Sequence, residues 1–178
     1  QEILMKGNQV LSSAQYLQQF KESQLGVARF AALDSLVSRE AIEELTVALP
    51  LALTDSFAAI RERGLSLLQA GDQWKEALAT LEEQVYRLAE EDSDNKVRAG
   101  ALDVLTEWNP SGYRGAFTRL ARDPSYLVAG AALMGLARAA DPAVDLSWME
   151  TFELETNFRM SVGLAEYYLV NKVLGKGP

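Results

Sequence analysis

The stretch KVRAGALDVL, residues 96–105, places Val97, Ala101, Leu102 and Leu105 at intervals of four, one and three. That spacing gives a helix one apolar face. It recurs through the chain in ARFAALDSL (28–36), IRERGLSLL (60–68), VRAGALDVL (97–105) and VAGAALMGL (128–136). Each copy opens on a small or branched apolar residue, then has Ala or Gly four positions later, Leu five later and Leu eight later. The shared positions are Ala32/Leu33/Leu36, Gly64/Leu65/Leu68, Ala101/Leu102/Leu105 and Ala132/Leu133/Leu136. The copies start 32, 37 and 31 residues apart, with one further amphipathic segment between successive copies. The pattern predicts a repeating helical hairpin whose second helix is the quoted segment.

A single hairpin cannot bury both of its apolar faces, whereas stacked hairpins share a continuous core. The Ala or Gly at the fifth position is expected to admit a close neighbour. The leucine pairs Leu33/Leu36, Leu65/Leu68, Leu102/Leu105 and Leu133/Leu136 are expected to fill the layer between helices.

The remaining segments read as helices too. Ser13 is a candidate N-cap for SSAQYLQQFKES, with Tyr16, Leu17 and Phe20 on one face. Ser38 is a candidate cap for REAIEELTVALPLAL, and Pro50 is expected to end or kink that helix. Thr54 or Asp55 opens the next helix, and Gly71 suits the left-handed position after it. Trp74, Leu78, Leu81, Val85 and Leu88 form a long stripe. Asn109-Pro110, Asp123-Pro124 and Asp141-Pro142 each set a capping residue before a proline suited to a first helical turn. LSWMETFELE and RMSVGLAEYYLVNKVL complete the series. No pair of strands is legible. The expectation is an all-α chain, 1–178 as one domain, with about nine or ten helices in an α/α superhelix.

This spacing resembles HEAT-like repeats, which span two helices and often carry an arginine in the second. Arg29, Arg61 and Arg98 hold the equivalent position here, while the fourth copy has Ala129. Asp34 and Asp103 recur five positions after Arg29 and Arg98. A ladder of arginine–carboxylate bonds between neighbouring repeats is the favoured reading. A ligand-binding arginine row and simple solvated arginines are the alternatives.

Composition narrows the chemistry. Apolar residues make up 48% and charged residues 24%, ordinary globular usage, with 17 Lys and Arg against 25 Asp and Glu. The net charge of -8 argues against a broad phosphate-binding surface, and no nucleic-acid partner is expected. There is neither cysteine nor histidine. Thiolate catalysis, disulfides and histidine-based zinc sites are therefore excluded within the chain. No Gly-rich phosphate loop occurs. Glu90, Glu91, Asp92 and Asp94 in EEDSDN offer carboxylates without the EF-hand pattern and read as an inter-helix turn. The adjacent pairs Glu43/Glu44 and Glu82/Glu83 point about 100° apart on a helix and do not face one reaction centre. Trp74, Trp108, Trp148, Tyr167 and Tyr168 fit amphipathic core positions. No apolar run approaches the roughly 20 residues of a membrane span. The beginning, QEILMKGNQVL, has no signal-peptide layout, and a start without Met points to a processed chain or an excised fragment.

Residues 4–36, LMKGNQVLSSAQYLQQFKESQLGVARFAALDSL, resemble the C-terminal helical region of gluzincin zinc aminopeptidases, especially bacterial members related to aminopeptidase N. The best match is QYLQQF followed by ARFAALDSL. In that family the region follows the catalytic domain and forms HEAT-like helices around the peptide-access chamber. The resemblance implies a noncatalytic domain docked on a catalytic domain of the same polypeptide, with peptide substrate reached through that parent. The family's histidine–glutamate zinc motif has no counterpart here, so no catalytic, cofactor-binding or metal-binding residue is carried over. Zinc would belong to the parent, which would be soluble, with export to the periplasm open to it. A standalone HEAT-like scaffold for another protein is the other function considered.

Overall fold

Ser12, with Gln15 three residues on, fixes the first helix. Ser12 Oγ accepts the Gln15 N–H at 3.2 Å, and Gln15 Oε1 accepts the Ser12 N–H at 2.8 Å. This reciprocal box makes Ser12 the N-cap, so Ser13 lies one residue inside the helix. The computed structural model describes residues 11–69 and 74–139, with the side chains of 75–78 left aside. Its eight α-helices are α1 (Ser13–Glu22), α2 (Gly26–Ser38), α3 (Ile42–Leu53), α4 (Ala58–Gln69), α5 (Lys75–Glu91), α6 (Asn95–Trp108), α7 (Arg114–Leu120) and α8 (Tyr126–Ala139). The described residues contain no strand. The chain is all-α. The two helices expected near the C-terminus, together with Asp141, Trp148, Tyr167 and Tyr168, lie outside the described residues, as does Gly71.

Several expected boundaries move. Helix α4 begins at Ala58, past Thr54 and Asp55, and α8 begins at Tyr126, so Pro124 lies before that helix rather than in its first turn. Ser38 closes α2, its hydroxyl donating to the Asp34 carbonyl at 2.9 Å, and α3 starts at Ile42 with no side-chain cap. Pro50 sits inside α3, which runs on to Leu53. The ring removes only the amide that would reach back to Thr46, and the helix ends within a turn of it. Asn109 is the C-cap of α6. Its side-chain oxygen accepts the Gly112 N–H at 3.2 Å, forming a turn, and α7 begins only at Arg114.

The chain divides into two units between Gly64 and Leu65, a boundary that falls inside α4. In the first unit α1 packs on α2 and α3, and α2 packs on α3. Phe20, Ala32, Leu33, Leu36, Leu45, Leu49 and Leu53 are buried there. Gly64 lies against α3: a Cβ at this position would stand 3.2 Å from Leu53 Cδ2 and 3.3 Å from Ala52 Cβ. Gly64 thus faces α3, the helix just before its own.

In the second unit α6 packs on α5 and α8, and α7 packs on α8. Leu65, Leu68, Trp74, Leu81, Val85, Leu102, Leu105, Phe117, Leu133 and Leu136 are buried. Helix α8, YLVAGAALMGLARA, has almost no polar side, and every residue from Val128 to Ala137 except Met134 is buried. Such a helix is enclosed rather than amphipathic. Its Gly135 faces the Phe117 ring, where a Cβ would lie 2.6 Å from Cδ1.

Two substitutions test this packing. Leu102→Ala removes a fully buried side chain and should cost on the order of 2–5 kcal/mol in urea unfolding. Gly135→Ala should cost about 1–3 kcal/mol by overpacking against Phe117. Adding Phe117→Leu should recover part of the second loss, and strict additivity would refute the contact.

Candidate functional site: arginine–aspartate struts

Each second helix is entered through the same short turn. Ser23, Asp55, Asp92 and Asp123 stand six residues before Arg29, Arg61, Arg98 and Ala129. Each side-chain oxygen accepts the backbone N–H two residues on: Leu25 at 3.3 Å, Phe57 at 2.8 Å, Asp94 at 2.8 Å and Ser125 at 2.9 Å. Such side-chain turns fix the chain direction just before the helix. At the α6 entrance Asp94 adds an N-cap, accepting the Lys96 and Val97 amides. Of the acidic stretch 90–94, Glu90 and Glu91 end α5 and only 92–94 form the turn and cap, with Glu90 paired to Arg119.

The arginines tie these turns together. Arg29 Nε and Nη2 donate to the two Asp55 carboxylate oxygens, both at 2.7 Å, and its Nη1 donates to the Ser23 carbonyl at 3.0 Å. Arg98 grips both oxygens of Asp123 and also donates from Nε to the Ala89 carbonyl at 3.3 Å. Arg61 Nη1 donates to the Asp55 carbonyl at 2.8 Å. The side chains of Arg29 and Asp55 keep only 14% and 9% of their exposure, so this fork is largely out of water. Burial alone would push the Asp55 carboxyl up. The bonds from Arg29 and the Phe57 amide, with the charges of Arg29 and Arg61, outweigh it and hold the group below its ordinary value. The Arg29 guanidinium is correspondingly held more firmly protonated by its hydrogen bond to Asp55.

Among the residues singled out in the sequence, Arg29 and Arg98 each meet a carboxylate at the next second-helix entrance. Asp34 is not the partner of Arg29: it pairs with Arg63 at 2.7 Å, two helices further on in α4. Asp103 is half-buried on α6. The eight repeat leucines are all buried. Sequence reasoning placed Asp55 and Asp123 only at helix starts and missed them as the partners of Arg29 and Arg98; their place six residues before Arg61 and Ala129 marks them as entrance residues without showing which arginine they meet.

A second polar cluster lies between α5 and α7. Tyr113 donates its hydroxyl to Glu82 at 2.8 Å, and its ring lies 5.3 Å from that of Tyr86. Arg119 reaches the Tyr86 hydroxyl at 3.5 Å and pairs with Glu90. Burial, then the Glu82 bond and charge, raise the Tyr113 hydroxyl above its ordinary range. Glu83 pairs with Arg87 on the same helix at 3.1 Å, so the Glu82/Glu83 pair serves two separate contacts. Among the described residues no group of carboxylates converges on a point that could hold a metal ion. No described helix is long and apolar enough to cross a membrane. What these groups do chemically is position helices. No protein-family model matches the chain, and no curated protein does.

The lowered Asp55 value has a definite sign. Its contribution is complete above the unfolded carboxyl value of about 3.9 and is lost as pH falls through the lower folded value. Urea unfolding from pH 7 down to pH 2.5 should therefore show the parent chain well above Asp55→Asn at neutral pH. The gap should close below about pH 4, and a constant gap would contradict the pairing.

Proposed function

We propose that this chain is a noncatalytic helical module that works by docking. More specifically, it is the C-terminal helical domain of a zinc aminopeptidase, seated on the catalytic domain and helping to shape the peptide-access chamber. The observation that carries the reading is the resemblance of residues 4–36, QYLQQF and ARFAALDSL above all. The helical hairpins of both units are compatible with it. So is a chain without histidine, which leaves zinc and the peptide-cleaving residues to the adjoining domain.

A standalone HEAT-like scaffold is the second reading. The apolar side chains exposed on the first unit, Val47 and Leu51 on α3 among them, favour it, because a protein-binding surface would use such residues.

The full coding sequence and its product separate the two. The peptidase reading expects a histidine–glutamate zinc motif elsewhere in the polypeptide, stoichiometric zinc in the purified product and release of N-terminal amino acids. It also expects the 178-residue chain alone to bind no stoichiometric zinc and to cleave nothing. A coding sequence without a zinc-peptidase motif overturns it and leaves the scaffold.

A further inference from the structure

The two hairpins of the second unit meet along one close contact and one loose one. Close packing joins α6 to α8, and within the hairpins it joins α5 to α6 and α7 to α8. The pair α5 and α7 shares no such packed contact. Arg98 of α6 grips Asp123 at the entrance to α8, with the two side chains only 15% and 8% exposed. Its Nε also donates to the Ala89 carbonyl near the end of α5 at 3.3 Å, which ties α6 to its own first helix. The Phe117 ring against Gly135 does the same for α7 and α8.

Long side chains span the space between α5 and α7. Glu82, Tyr86 and Glu90 follow one another at intervals of four, a single stripe of α5. Each meets a residue of the α7 segment. The Tyr113 hydroxyl donates to Glu82 at 2.8 Å, and its ring lies 5.3 Å from that of Tyr86. Arg119 reaches the Tyr86 hydroxyl at 3.5 Å and pairs with Glu90. The Arg119 side chain is 57% exposed. An ion pair so open to water adds little stability and is weakened by salt. Water can replace these bonds at small cost, whereas the α6–α8 contact and the Arg98 fork are largely out of its reach.

We propose that the bridge from Tyr113 and Arg119 to the α5 stripe is a clasp, and that the α6–α8 contact is its hinge. When the bonds to Glu82 and Glu90 open, α7 and α8 roll on α6 as one body and α7 swings away from α5. The second helices stay packed, because neither their apolar sides nor the Arg98 fork takes part in the movement. Opening of this kind is a hinge motion about a packed contact. It changes the angle between two successive hairpins, and so the face that they present together. The clasp rests on contacts within the second unit and holds for a peptidase parent or a scaffold alike.

Distances between paired spin labels on the 178-residue chain test it. The chain has no cysteine, so labels attach only where one is introduced. Ala79→Cys with Thr118→Cys, both exposed, reports across α5 and α7. Lys96→Cys with Arg138→Cys, also exposed, reports across α6 and α8. Removing the clasp by Tyr113→Phe with Arg119→Gln should lengthen the α5–α7 distance by at least about 2 Å, the size of a helix shift at a packed joint, and widen its distribution. The α6–α8 distance should not change. If the double variant fails to fold, either substitution alone should move the α5–α7 distance in the same direction by less. An α5–α7 distance unchanged in every folded variant overturns the proposal. So does a lengthening of both distances together, because the hairpins then separate and do not roll.

Discussion

Close approach between helices is the constraint on which the other features depend. Helices pack at about 8–10 Å between axes, and the low end of that range requires small side chains at the crossing. Gly64 meets Ala52 and Leu53 at distances that leave no room for a methyl group without movement. Gly135 meets the face of Phe117 still more tightly. Both contacts are between the two helices of one hairpin. Gly100 serves the other kind of joint, between successive second helices, where Leu65 lies over it. The leucines can be fully buried because these small positions bring the backbones near enough to close the layer.

The struts act on that packed frame. A partly buried ion pair adds little net stability when desolvation is counted, and its clearer effect is on specificity. Here the geometry is bidentate, which fixes orientation as well as distance. Arg29 holds the carboxylate that also forms the turn into α4, and Arg98 holds the one that forms the turn into α8. One aspartate therefore sets where a helix starts and which earlier helix it answers to. Sliding such a joint by one residue would separate fork and carboxylate while leaving much of the apolar contact intact.

The all-α class and the second helices were legible because a 3.6-residue period survives in Leu33/Leu36, Leu65/Leu68, Leu102/Leu105 and Leu133/Leu136. Helix entrances were less legible. Ser12 and Ser13 both look like caps, and only the reach of Gln15 separates them. Pro50 read as an end or a kink, and it sits inside the last turn of α3, where a proline costs one bond near an end at which bonds already run out. The strut arginines could be picked out by recurrence, while their carboxylates could not be assigned by local spacing. A partner 25 or 26 residues away depends on how hairpins stack. Asp34 sits nearer in sequence to Arg29 and on the same helix, but five residues apart puts the two on different faces.

The ends of the strut series differ from its middle for physical reasons. At α8 the arginine position is Ala129, on a helix buried nearly all round, where a guanidinium would carry a desolvation cost. At the other end the acceptor position is Ser23. Its hydroxyl keeps the turn by accepting the Leu25 amide, and its carbonyl is taken by Arg29, yet it offers no negative charge to an arginine from outside. The joints of Arg29 with Asp55 and Arg98 with Asp123 are apolar and ionic together.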